Sequence, residues 1–355
     1  MKQLSHGGDI YSKRDIPENK KLIDLSANVN PLGMPPAVKR AIIDNIDAFS
    51  NYPDPLCRDL IDEISKHEKV PKEYIACGNG AADIIYRIAA TIKPKIALLP
   101  APTFSEYEQS LKIVNGSIRY HLLLENEGFI LDERILYKLS PDIDIMFLCN
   151  PNNPTGVPIK KDRVLRIASH CKKNNTVLVV DECFIDFLEN TNEYSIVQEL
   201  IDLKNVIVLK AFTKIYAMAG IRLGYCICSD NEIIEGIYNQ GQPWNVSVVA
   251  QKCGVAALKE TDYVKETKKI IKQNREFLIK NLRLLGFEVF DSEANYILIK
   301  SENKSLQREL EKEGILIRSC ANYIGLNESY FRIAVKSKED NEFLLKTLKT
   351  VLKTV

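Results

Sequence analysis

Lys214 follows Ala211-Phe212-Thr213, where a strand that opens as an apolar, β-branched run, Val206-Ile207-Val208-Leu209, stops, and it precedes small residues and two glycines, Gly220 and Gly224. That pattern hangs the lysine at the end of a buried strand, in a loop too apolar to be a solvated face. Burial disfavours an ammonium, so a lysine held there gives up its proton easily. A neutral amine can then add to a carbonyl as a Schiff base. A loop lysine snorkelling to water is the plainer alternative. Asp181 closes a second apolar run, 176–180, which puts a carboxylate at the end of a core element; its plainer use is a helix N-cap. Gly78-Asn79-Gly80-Ala81-Ala82-Asp83 is a Gly-rich turn entering a helix, whose free N–H groups suit a phosphate. The dinucleotide fingerprint is broken, because Asp83 stands where its third glycine belongs, and no G-x-x-x-x-G-K-[ST] occurs. The turn therefore suits one phosphate better than NAD or ATP, and a nicotinamide dehydrogenase is disfavoured.

Other polar groups also follow apolar runs. Phe104 ends Pro100-Ala101-Pro102-Thr103-Phe104, after 96–99. Asn153 lies in Asn150-Pro151-Asn152-Asn153-Pro154-Thr155-Gly156, after 144–149, where prolines fix the backbone and aim the amides. A loop from Ser26 to Gly33 brings Asn28 and Asn30 inward after a short strand at 22–25. Arg318 ends 315–317 and Arg332 interrupts 331–335. Planar guanidinium groups there suit a phosphate or carboxylate, or else a structural ion pair.

These residues need strands to carry them and helices to cover the strands. Helical spacing is read over 36–46, 56–67, 81–90 and 161–172, alternating with buried strands. The expectation is an α/β fold, a mostly parallel central sheet between helices, with the polar clusters converging on the carboxyl edge of the strands. After Gln240-Gly241-Gln242-Pro243-Trp244-Asn245 the character changes. One long charged helix is expected over about 249–285. Short strands at 287–289, 296–299, 315–317 and 331–335 and helices at 306–312 and 341–352 complete a smaller α+β domain. The expected division is 1–34, a segment joining the small domain; 35–243, the large domain; and 244–355, the small domain.

With 355 residues, 45% of them apolar, and a formal net charge of +1, the chain has enough material for a large core. It lacks the basic surplus of a nucleic-acid surface or a polybasic membrane patch. No apolar run approaches the ~20 residues of a membrane span, and residues 1–15 contain no signal-peptide core. Nine scattered cysteines read as reduced, buried thiols of a cytoplasmic protein. Cys226-x-Cys228 has no second Cys/His pair of matching spacing, so no metal is expected.

A phosphate cradle (Gly80, Ala81, Ala82), a stacking ring (Phe104), an aimed amide (Asn153), a buried carboxylate (Asp181) and a Schiff-base lysine (Lys214) together suit pyridoxal 5'-phosphate. In content and order the chain resembles the fold-type I superfamily of aminotransferases. The likeness spans essentially the whole chain and rests on NPNNPTG, DExFIDF and TKxYAxAGIRLGY. The resemblance implies that Arg222 and Thr213 also bind the cofactor. It implies that Tyr52, in a Tyr-Pro-Asp loop, reaches the cofactor phosphate of a partner subunit, hence a homodimer with shared active sites. It further implies a small phosphorylated amino compound as substrate, held by His6, Asn28, Arg318 and Arg332. No nucleic acid or membrane partner is implied. Two branches are near. One transaminates histidinol phosphate with the 2-oxoglutarate/glutamate couple of histidine biosynthesis. The other decarboxylates L-threonine O-3-phosphate in cobalamin biosynthesis. HGGD, SANVNPLGMP, QPWNVS and LIRSCANYIGLNESYFRIAV resemble the second, and Phe184 agrees, since aminotransferases commonly carry a tyrosine there. Asp9 and Ala211 depart from the usual Asn and Ser/Thr.

Overall fold

The apolar runs without polar alternation form the middle of a seven-stranded sheet. The computed structural model describes residues 6–11 and 22–352; the remainder of the 1–34 segment, and 353–355, lie outside the described residues. Across the sheet the strands run Ile75–Gly78, Gly224–Ile227, Val206–Ala211, Val177–Asp181, Ile145–Cys149, Ile96–Ala101 and Ser117–Leu122. Neighbours are parallel except at Gly224–Ile227, which is antiparallel to both partners. Strands this apolar must be covered on both faces. Helix Ala81–Ile92 packs on Val206–Ala211 and Gly224–Ile227, and helix Lys161–Lys173 on Val177–Asp181.

Register levels the strand ends. Asp181 pairs with Cys149 on one side and Leu209 on the other, so the loops after all three strands open on one edge. A second, antiparallel sheet orders Arg318–Ser319, Tyr330–Ala334, Tyr296–Lys300 and Glu288–Val289. Ile23–Asp24 pairs in parallel with Ile315–Leu316, tying residues near the N-terminus to the C-terminal part of the chain.

Five stretches differ from expectation. The 249–285 stretch is two helices, Val248–Ala257 and Thr261–Leu284. No glycine or proline marks the break; the restart carries Asp262 in its first turn, where the helix dipole favours a carboxylate. Lys214 is not in an irregular loop but in a one-turn helix, Phe212–Ile215. Strand Ser117–Leu122 and helices Ser105–Ile113 and Asn231–Asn239 were not legible as elements.

Lys210, four residues before Lys214, is buried among three carboxylates: Asp186 at 3.3 Å, Glu68 at 3.8 Å and Glu182 at 3.9 Å. Glu182 accepts from the Ser195 hydroxyl (2.7 Å) and Ile196 N–H (2.9 Å), yet burial pushes its carboxyl up to about 7. Among the described residues no helix is long and apolar enough to cross a membrane.

Candidate active site

A cavity of about 330 Å³ opens at the carboxyl edge of the large sheet, walled on its far side by Arg318, Tyr323 and Arg332. Lys214 projects from its one-turn helix into this wall. Asn30 fixes that turn: its amide donates to Ile215 O and Thr267 Oγ1, both at 2.7 Å, and its N–H to Lys214 O at 3.1 Å. Asn30 thus has a structural task in the loop that sequence reading brought inward. Burial, then the charge of Arg332, pushes the Lys214 ammonium down to about 8. The Phe184 ring lies 5.8 Å from Nζ. Thr213 and Ala211 line the cavity beside the lysine.

Asp181 also lines the cavity and is 5% exposed. Its Oδ2 accepts from the Tyr107 hydroxyl at 2.6 Å and its Oδ1 from Cys183 N–H at 3.0 Å. Phe104 lines the cavity and meets Tyr107 edge-on, at 5.6 Å and 84°. Asn153 accepts from Arg332 Nη1 at 2.6 Å. Tyr107 was missed by sequence reading. The available signal was its place three residues beyond Phe104 in a helical segment, a spacing that keeps two side chains together.

Ala81 and Ala82 contribute the first turn of a twelve-residue helix with no side-chain cap, so its leading N–H groups are open to a ligand. Gly80, just ahead of them, has φ +85°, and a Cβ there would lie 2.7 Å from Arg222 Nη2. Only glycine lets the guanidinium close over this turn. Asp83 takes the N–H of Asn79 (3.0 Å) and the amide of Asn245 (2.7 Å), bracing the turn.

Arg318 and Arg332 are direct partners across an antiparallel strand pair, and both face the cavity. Arg332 is buried and donates to Ser26 O at 2.7 Å as well as to Asn153. Arg318 donates to Asn322 Oδ1 at 2.6 Å and lies 5.4 Å over the Tyr323 ring. Asn28 and His6 complete the wall. His6 is brought there because Gly7 packs where a Cβ would sit 2.1 Å from Ser26 O. Glu106 then meets the His6 ring at 2.8 Å and accepts from Tyr86 at 2.9 Å. His6 is the main reason the Glu106 carboxyl is held below its ordinary value.

Tyr52 stands apart from this cavity. It is 79% exposed and stacks on Trp244, with ring centroids 4.5 Å apart. Gln251 stitches the two loops together, donating to Asp54 O at 2.8 Å and Val246 O at 2.9 Å.

The residues fit pyridoxal phosphate. Two buried polar atoms of the cavity wall, Asn28 Oδ1 and Arg332 Nε, have no protein partner, and the Gly80 turn leaves a cationic cradle that a Cβ would fill. A buried carboxylate and an amine of lowered basicity sit in the same cavity.

Comparison with known proteins agrees. The chain is 39% identical to threonine-phosphate decarboxylase of Salmonella typhimurium, over 98% of this chain and 96% of that one. It is 30% identical to histidinol-phosphate aminotransferase of Methanococcus aeolicus, over 96% and 94%. The crystal structure of histidinol-phosphate aminotransferase from Clostridium acetobutylicum superposes with a TM-score of 0.88 at 33% identity, covering 94% of this chain and all of that one. The sequence model of aminotransferase class I and II matches residues 20–348. On that match, and on a cavity built for their cofactor, the chain belongs to the class I and II aminotransferases, a family of pyridoxal-phosphate enzymes.

Proposed function

We propose that this chain removes the carboxylate of a small phosphorylated amino acid, L-threonine O-3-phosphate, to give aminopropanol phosphate. The observation that carries the phosphorylated substrate is the direct opposition of Arg318 and Arg332 on the cavity wall, a grip that suits both branches, and Phe184 beside Lys214 favours decarboxylation. Like charges placed opposite across strands destabilise a sheet, and an anion between them reverses the sign. A phosphate monoester suits two planar, multi-donor groups. The decarboxylase from Salmonella typhimurium, alike over nearly the full length of both chains, supports the same substrate.

Bound pyridoxal phosphate supplies a carbonyl for the amine and an electron-withdrawing ring. The rest falls to the chain's own residues. Ala81, Ala82, Arg222 and Thr213 hold the cofactor phosphate, Phe104 covers the ring, and Asp181 faces the ring nitrogen. Lys214, lowered to about 8, reaches its neutral amine form far more readily near neutral pH than an ordinary lysine, and Lys214 or water afterwards returns a proton to the substrate Cα. Arg318, Arg332, His6 and Asn28 grip the substrate phosphate, which fixes rotation about its N–Cα bond. Phe184 places an apolar ring, without a hydroxyl, beside the lysine. Choosing which Cα bond breaks needs little energy, since ~1.4 kcal/mol is tenfold in rate.

Transamination of histidinol phosphate is the second reading, favoured by the 33% identity to the Clostridium acetobutylicum structure. Two incubations of holoenzyme separate them: threonine phosphate alone, and histidinol phosphate with 2-oxoglutarate. CO₂ from the first tube is expected. Glutamate in the second with no CO₂ in the first overturns the decarboxylase reading.

The working form is a homodimer in which Tyr52 reaches the partner's cofactor phosphate; the exposure of Tyr52 outside its own cavity supports this. Tyr52→Phe is expected to loosen cofactor retention, and a fully active monomer at working concentration would contradict the shared site. Nine buried free cysteines suit a reducing compartment, the cytoplasm.

A further inference from the structure

Asp181 is a buried carboxylate, and only the donors around it can hold such a group in one rotation. Its surroundings supply few donors. Cys183 N–H reaches Oδ1 at 3.0 Å. The Cys183 thiol faces the carboxylate too, but a thiol donates weakly. The neighbouring Cys149 thiol is engaged elsewhere, by Pro151 O at 3.3 Å. The strong side-chain donor is the Tyr107 hydroxyl, 2.6 Å from Oδ2.

Tyr107 is itself immobilised. It is fully buried, stacked on Phe147 at 4.9 Å and 15°, and meets Phe104 edge-on. Its helix, Ser105–Ile113, begins directly after Phe104, so one short segment carries both the ring cover and the donor. A phenol pinned by two aromatic contacts, with its hydroxyl against a carboxylate, is costly to retain for packing alone, where phenylalanine would serve.

We infer that Tyr107 is a positioning residue, whose hydroxyl fixes Asp181 in rotation so that the carboxylate can hold a proton on the ring nitrogen of bound pyridoxal phosphate. The role rests on Asp181 meeting that nitrogen, as proposed above. The physical logic is a choice between two states of one hydrogen-bonded pair. With donors on both Oδ1 and Oδ2, the carboxylate is held in one rotation and can keep its hydrogen bond to the ring proton. Without the hydroxyl, the carboxylate is free to turn, its hydrogen bond to the ring proton weakens and the ring withdraws electrons less strongly. The hydroxyl oxygen keeps its own proton throughout, because burial and the Asp181 charge push the phenol far above its ordinary range.

The test uses holoenzyme loaded with pyridoxal phosphate labelled with ¹⁵N in the ring. Tyr107→Phe is expected to move the nitrogen resonance towards its unprotonated position. Turnover should fall about ten- to a hundredfold, the worth of one hydrogen bond to a charged group. In an Asp181→Asn background, Tyr107→Phe should cost nothing more, because the route through the carboxylate is already gone. Should Tyr107→Phe fold poorly, 3-fluorotyrosine at position 107 keeps the shape and strengthens the donor, and the resonance should move the opposite way. An unmoved resonance in the Tyr107 variants, or losses that multiply in the double variant, overturns the role. Asp181→Asn that leaves the resonance in place overturns the site reading beneath it.

Discussion

Arg332 Nη1 lies 2.6 Å from Asn153 Oδ1, and the guanidinium has no acceptor to offer. The amide oxygen must therefore face Arg332, which leaves the NH₂ of Asn153 as the group available to the phenolic oxygen of the cofactor. A residue proposed to hold substrate thus orients a residue proposed to hold cofactor. Through its second bond, to Ser26 O, the same arginine also fixes the segment that carries Asn28 and against which Gly7, next to His6, packs.

Asn153→Ala should leave a buried guanidinium nitrogen without its acceptor. The expected loss is about 1–3 kcal/mol of stability, read by chemical denaturation of the apo protein. Cofactor affinity should fall at the same time. An unchanged denaturation midpoint would show that the bond does not form.

Lys214→Ala should abolish turnover and leave the fold intact, and borohydride reduction of wild-type holoenzyme should label Lys214 alone. The lowered basicity has a sign that can be checked in the apo protein. Folded Lys214 loses its proton near 8, whereas the unperturbed amine holds it to 10.5. Between those values the unfolded chain binds more protons, so stability should rise with pH across the interval. Lys214→Met should flatten that rise; an identical slope in the variant would place the effect on other groups.

Gly80→Ala adds a Cβ 2.7 Å from Arg222 Nη2, at a backbone angle alanine avoids. A cost of about 1–3 kcal/mol is expected. It should appear mainly as a cofactor dissociation constant raised tenfold or more, because the guanidinium must withdraw from the turn. Equal cofactor affinity in the variant would remove Arg222 from the cradle.

The Lys210 cluster makes a prediction of its own. Removing the cation, as Lys210→Met, leaves three carboxylates around an apolar side chain and should cost about 3–5 kcal/mol. Glu182, raised from 4.5 to about 7, binds a proton when folded that it gives up when unfolded. Its contribution should therefore be lost as pH rises through that window, and Glu182→Gln should remove this part of the pH dependence of stability. A pH profile of unfolding that the Gln variant does not alter would count against it.

The sequence displayed the large sheet because the apolar runs of its inner strands, such as 145–149 and 206–209, are buried on both faces and so carry no polar residue to blur the pattern. It displayed most of the site for a related reason: a polar residue just past such a run, as at Asp181 or Asn153, has nowhere to go but the cavity. Strand Ser117–Leu122 was invisible because it is an edge strand whose side chains are mostly exposed or partly so. The reversed direction of Gly224–Ile227 is a property of pairing, which composition does not encode. Tyr107 and Glu106 escaped notice because each acts on another side chain, and such second contacts exist only once the helix after Phe104 is laid against the sheet.

Trp244, the single tryptophan of the chain, rests on Tyr52, in the loop proposed to cross between subunits. The molecule therefore carries one tryptophan fluorophore, placed beside the residue proposed to reach the partner's cofactor. Emission from that indole, free of overlapping signals from other tryptophans, gives an optical record of the Tyr52 loop in untagged protein. Colour shift and quenching on dilution or on adding cofactor report when the loop leaves water and when an absorbing ring arrives nearby.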